Sequence, residues 1–134
     1  MRPTGRQGRT DGFFASPTLY GACRWLLGNE LTRIPDIRLR ELWVNPDHVY
    51  VYSVQAWETA SWSREENYHS YWETGMTLTQ WREQELNPRE WELVLGEEDV
   101  LRWRMVGKNR ILTAAAEGDS YFQRDVERVL RRRR

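Results

Sequence analysis

Apolar side chains recur along this chain at two spacings, and each spacing predicts an element. Leu19, Tyr20, Cys23, Leu26 and Leu27 fall on one helical stripe. Ser16 suits the cap of that helix, Pro17 its first position, and Gly28 the left-handed position that ends a helix. Trp25 projects from roughly the opposite side, where either a covering loop or a partner would meet it.

From Ile37 to Trp57 the pattern shortens. Two runs rich in Val, Ile, Tyr and Trp flank Asn45-Pro46-Asp47-His48. Proline's fixed φ and the backbone-bonding side chains of Asn and Asp suit a tight turn, so a β-hairpin is expected. Its second strand is apolar on both faces. Val49 and Val51 line one face; Tyr50, Tyr52, Val54 and Ala56 line the other. Such a strand belongs inside a sheet.

An aromatic stretch follows, Glu58 to Gly75. Ser63 and Glu66 form a capping box, Tyr68, Tyr71 and Trp72 share a helical face, and Gly75 can end the helix. A second capping box, Thr77 with Gln80, opens a short helix carrying Leu78, Trp81 and Leu86, stopped by Pro88.

The last third alternates. Trp91, Leu93 and Leu95, then Leu101, Trp103 and Met105, then Leu112, Ala114 and Ala116 predict a three-stranded meander. A five-residue loop or a bulge between the first two strands sets Leu93 opposite Trp103; a four-residue loop would set it opposite Arg102. Burial favours the first register, with Trp103 between Leu93 and Ala114 and with Arg102 and Arg104 turned outward. A helix over Pro88 to Leu95, capped by Asn87 and Glu90, competes with the first strand. After Gly118-Asp119, Ser120 and Gln123 form a third capping box. Phe122, Val126, Val129 and Leu130 then make one stripe, expected over the Leu101/Trp103/Ala114 face. Asp125 with Arg128 and Glu127 with Arg131 are spaced to pair along this closing helix.

Composition changes this picture little. The 134 residues fit a single domain with a core, and no apolar run reaches the ~20 residues of a membrane helix. One cysteine, Cys23, excludes an intrachain disulfide and argues against a cysteine-based zinc site. A reducing, intracellular compartment is the mild inference, with cytoplasm, virion and organelle matrix left open.

Charge alters it more. The net charge is zero, yet Lys108 is the only lysine, and both ends are basic. A high-GC genome explains the arginines blandly; selection for bidentate contacts explains them functionally. Residues 1–14 read as a basic Gly/Arg-rich arm with Arg2, Arg6 and Arg9. Residues 15–130 read as one α+β domain, and 131–134 as a basic tail of Arg131, Arg132, Arg133 and Arg134. The arm is acid-poor like a transit peptide but lacks the serines and the amphipathic pattern.

No chemistry stands out. His48 and His69 have no metal-ligand spacing, Cys23 sits on an apolar stripe, and no nucleophile elbow, P-loop or dinucleotide fingerprint is present. No catalytic residue, cofactor or metal is therefore expected. Eight tryptophans remain, more than a small core needs. Trp, Tyr and Arg are the residues enriched at protein–protein hot spots.

The expected fold is α+β, an antiparallel sheet of hairpin and meander packed by the first and last helices, with a short aromatic helical insertion. The expected function is non-enzymatic: an interaction or structural subunit of a larger assembly such as a virion, an organellar complex or a ribonucleoprotein. Its contacts would be Trp25, Trp57, Trp62, Tyr68, Tyr71 and Trp72 together with the arginine arms. Two alternatives stand beside it. The arms could neutralise RNA or DNA phosphates, or the aromatics could wall a carbohydrate or small-ligand cleft. The bland reading puts most of the aromatic set in the core.

Overall fold

Strand β5 (Trp91–Leu95) is buried from its second residue on, Glu92, Leu93, Val94 and Leu95 all being inaccessible. A strand covered on both faces needs neighbours on both edges. Antiparallel β1 (Phe13–Ala15) takes one edge and antiparallel β3 (Tyr50–Ser53) the other, with Val51 opposite Leu93 and Tyr52 opposite Glu92. A short β4 (Met76–Thr77) pairs with β3 and completes the order β1-β5-β3-β4. The computed structural model describes residues 12–30, 38–62 and 69–131. Within them the fold is α+β, as expected, with antiparallel sheets of four and two strands.

The side chains of β3 explain the layers. Val51 points into a cluster with Val49, Leu78, Trp81, Leu93 and Leu95. Leu78 and Trp81 come from α4 (Leu78–Arg82), whose Thr77–Gln80 capping box is present as expected. Tyr52 points to the opposite face, into a cluster with Tyr71, Trp72 and Val94. Those two rings lie on α3 (His69–Glu73), and Ala56 and Trp57 reach the cluster from α2 (Val54–Trp62). A third cluster joins α1 (Leu19–Glu30), α5 (Lys108–Ala115) and α6 (Ser120–Arg131) through Cys23, Ile111, Ala115, Phe122, Val126 and Val129.

The expected strand pairing is corrected in three places. The turn at Asn45 exists, with the His48 N–H donating to Asn45 O at 3.0 Å and the Asp47 N–H to Asn45 Oδ1 at 3.1 Å. It does not close a hairpin. The preceding strand, β2 (Arg40–Trp43), pairs instead with β6 (Arg102–Met105) in a separate two-stranded ribbon. Arg40 and Glu41 beside the buried β3 would need partners for their charges there. In the ribbon Glu41 meets Arg104. Nor does β3 run to Trp57. The Ser53 hydroxyl accepts from the Ala56 N–H at 3.1 Å and turns the chain into α2 at Val54.

The meander is likewise replaced. The alternation of β6 is real, but its arginine face cannot enter a sheet buried on both sides, so β6 leaves β5. Trp103 lies opposite Leu42 rather than Leu93. The third expected strand is helical. Its alternating Leu112, Ala114 and Ala116 are interleaved with the helically spaced set Ile111, Ala114 and Ala115, which is the buried one. Alanine's helix preference agrees.

Helix boundaries shift by a residue or more. Thr18 rather than Ser16 caps α1, its hydroxyl accepting from the Gly21 N–H at 3.0 Å, and Gly28 lies inside the helix. Asp119 rather than Ser120 caps α6, accepting from the Phe122 N–H at 2.8 Å. The α6 stripe is as expected, and so are its Asp125–Arg128 and Glu127–Arg131 pairs. It packs on α1 and α5, not over a sheet. The Ser63–Glu66 capping box lies outside the described residues.

Candidate interaction surface

Of the sequence-selected aromatics, Tyr71 and Trp72 face inward. Tyr71 stacks on Tyr52 at 4.9 Å between ring centroids, and Trp72 meets Tyr52 edge-on at 5.1 Å. Trp57, half-buried, sits edge-on to Tyr71 at 5.1 Å. The Tyr71 hydroxyl donates to the buried Glu92 carboxylate at 3.0 Å. Trp25 is 49% exposed on α1, and Arg131 is exposed at the end of α6, 3.6 Å from Glu127. The Trp62 side chain, Tyr68, Arg2, Arg6, Arg9, Arg132, Arg133 and Arg134 lie outside the described residues.

The surface that sequence reasoning missed is the β2–β6 ribbon. Antiparallel pairing puts Leu42 and Arg40 on one side with Trp103 and Met105, and Glu41 and Trp43 on the other with Arg104 and Arg102. The first side is apolar. Leu42 turns inward onto the Val49–Leu78–Leu95 cluster, and Val44 beyond it does the same. At the other end Val106 and Leu39 anchor the ribbon to the three-helix cluster. The ribbon thus ties two clusters together, while Leu101, Trp103 and Met105 remain 71%, 52% and 45% exposed.

The second side is cationic and ordered. The Arg102 guanidinium lies 4.2 Å from the Trp43 ring centre and that of Arg104 5.2 Å, both within cation–π range. On the apolar side Arg40 covers Trp103 at 4.6 Å. Glu41 accepts from Arg104 Nε at 2.7 Å and from Arg110 Nη2 at 2.6 Å. Hydrogen bonding by Arg110 holds the Glu41 carboxyl below the usual carboxylate range; desolvation opposes it, and the Arg104 hydrogen bond and the charges of both guanidiniums outweigh that opposition. The same contact pushes the Arg110 guanidinium further toward its charged form. Arg-Glu-Leu-Trp matched to Arg-Trp-Arg-Met was the available signal: one acid among arginines in each other's complementary positions.

Other chemistry is thin. Among the described residues no group of three or more His, Cys, Asp or Glu side chains is placed to hold a metal ion. His48 Nδ1 lies 3.2 Å from Asn45 Nδ2, and His69 lies 2.8 Å from Glu73. Burial pushes the Cys23 thiol up to about 11, which suppresses the reactive thiolate. A hollow of about 260 Å³ is lined, among the described residues, by Ser53, Gln55, Ala56, Thr59, Ala60 and Ser70, none of them aromatic or ionisable. No helix among the described residues is long and apolar enough to cross a membrane. Compared with protein-family models, curated proteins and solved structures, the chain matches none.

Proposed function

We propose that this chain is a non-enzymatic interaction subunit of a larger assembly and that the β2–β6 ribbon is its principal contact. The observation that carries the proposal is the exposed Trp103 and Met105 on a two-stranded ribbon, with exposed Leu101 just before it and arginines held against the tryptophan rings. Large apolar side chains exposed close together mark an interaction surface more often than they serve a free monomer. Trp and Arg are the residues that dominate binding energy when such a surface is covered. Here they are already fixed by each other, so less conformational freedom is lost on contact. Trp25 and the basic arms would extend the contact. A reducing compartment suits the lone buried Cys23, and a virion, an organellar complex and a ribonucleoprotein all remain suitable settings.

Phosphate binding is the second reading. It is supported by Arg102, Arg104 and Arg110 lying together on one side of the ribbon. Glu41 neutralises part of that charge, and base stacking would compete with the arginines that already cover Trp43 and Trp103.

The test is native mass spectrometry of the protein from its source, beside a variant carrying Leu101→Ser and Trp103→Ser. The wild type should appear in a complex of fixed stoichiometry, and the variant as a folded chain of unchanged melting temperature outside it. A wild type found only as a lone monomer, or a variant that assembles normally, would overturn the proposal.

A further inference from the structure

Among the described residues the outer edge of β6 is unpaired. Its inner edge pairs with β2, and among the described residues no strand pairs with the other side. The Val106 N–H donates to Leu39 O at 2.9 Å, and these two residues are directly opposite in the ribbon's register. In an antiparallel pair such hydrogen-bonded positions alternate with positions whose backbone groups turn away. Arg104 therefore bonds inward to Glu41, and at the far end the Trp43 carbonyl accepts from the Leu101 N–H at 2.8 Å, one residue out of step with the Trp43–Arg102 pairing. Met105 and Trp103 present their N–H and C=O groups outward. The two residues with outward backbone groups are also the two with exposed apolar side chains on one face.

We infer that this edge accepts an extended segment of a partner protein as a third strand, and that the segment alternates apolar with acidic residues. The inference rests on the interaction reading above and names its partner class. Strand addition uses main-chain hydrogen bonds for affinity and alternate side chains for specificity. Side chains of the added strand on the Trp103 face would meet Trp103 and Met105, so they are apolar. Those on the other face would meet Arg102 and Arg104. There Arg104 and Arg110 both bind the Glu41 carboxylate and Arg102 lies over Trp43 on the same side, so the incoming side chains are acidic.

The same arginines argue against a second copy of this chain. Antiparallel self-pairing of β6 sets arginine opposite arginine, and like charges directly opposed are destabilising. Charged side chains on an exposed strand are a usual guard against such pairing. An acidic partner strand turns that guard into an attraction.

Face and phase together specify which nitrogens matter. In a strand added antiparallel, the apolar residues opposite Trp103 and Met105 occupy hydrogen-bonded positions, so their own N–H groups point at β6. The experiment titrates the full chain with a dye-labelled peptide of alternating Val and Glu, followed by fluorescence anisotropy. Three comparison peptides carry Lys in place of Glu, N-methyl groups on the Val nitrogens, or N-methyl groups on the Glu nitrogens. The Val–Glu peptide should bind saturably, and Glu-nitrogen methylation should leave binding within a few-fold. Val-nitrogen methylation and the Lys peptide should each weaken it by about tenfold or more, as should the protein variants Arg102→Glu and Trp103→Ala at unchanged melting temperature. No saturable binding, equal binding of the Lys peptide, or equal binding of the Val-methylated peptide would overturn strand addition. Displacement of the peptide by single-stranded oligothymidine would instead make the face a phosphate site. Concentration-dependent dimerisation that buries Trp103 would make it a self-interface. Either outcome overturns the inference. If the peptide fails while Leu101→Ser with Trp103→Ser still loses its native complex, strand addition alone falls; if both fail, the surface falls with it.

Discussion

The Tyr71 hydroxyl reaches Glu92 at 3.0 Å between α3 and β5, joining a buried phenol to a buried carboxylate. Removing one partner of a buried hydrogen bond to a charged group is destabilising. Tyr71→Phe keeps the stacking on Tyr52 and deletes this donor, so it should cost about 1.5–3 kcal/mol in urea unfolding. A loss below about 0.5 kcal/mol, the range of an ordinary surface change, would mean that the bond contributes nothing.

Val126 is fully buried in the three-helix cluster, whereas Arg131 is exposed at the end of the same helix. Val126→Asp should cost about 4 kcal/mol or more, because it buries an unpaired charge or displaces α6. Arg131→Ala should stay within about 0.5 kcal/mol. Equal melting shifts for the two would show the stripe to be misassigned.

The start of α6 separates two candidate caps. Asp119 accepts from the Phe122 N–H, and Ser120 is already helical. Asp119→Ala should cost about 1 kcal/mol and Ser120→Ala much less. Just before it, a Cβ on Gly118 would sit 2.5 Å from Phe122 Cδ1. Gly118→Ala should therefore cost about 1–3 kcal/mol by pushing a core ring aside. Wild-type stability in the Gly118 variant would show that Phe122 can yield freely.

Glu41 gives the ribbon a pH dependence of definite sign. Its carboxyl is held low by Arg110 and Arg104 in the folded state. The folded state thus binds the proton less readily than the unfolded chain. The stabilisation is fully present above the ordinary carboxylate value of about 4.3 and is lost as pH falls through the lowered folded value. In a series of melting curves, the advantage of wild type over Glu41→Gln should be constant from neutral pH to about 5 and shrink below about 4. Added salt should also reduce it, because the pair is largely solvent-facing. An advantage that grows on acidification would contradict the assignment.

Much of this structure was readable locally. The α6 stripe, the Thr77–Gln80 box and the two-sided burial of Val51 and Tyr52 each follow from residues close together in sequence. Partner choice did not follow. Asn45 to His48 turns as expected, but the Thr79 N–H and hydroxyl hold it through Pro46 O and Asp47 Oδ1, tying the turn to α4 rather than to a strand pair. Whether β2 pairs with its neighbour β3 or with distant β6 depends on what else can cover Tyr52 and neutralise Glu41. Those partners, Tyr71, Trp72, Arg104 and Arg110, are remote in the chain. The candidate site was missed for that reason: Trp103 was expected in the core because a neighbouring alternating strand was the nearest cover for it. The sequence had already allowed that most of the aromatic set is core, and Tyr71 and Trp72 are buried there.

The identity of the contact surface is open to one direct measurement: amide hydrogen exchange on the protein in its native complex and again after salt dissociates that complex. Peptides covering residues 101–105 should exchange more slowly in the complex, with Trp103 and Met105 gaining the protection and α6 unchanged. Slowed exchange confined to other elements, with 101–105 exchanging at the same rate in both states, would contradict a contact through the ribbon.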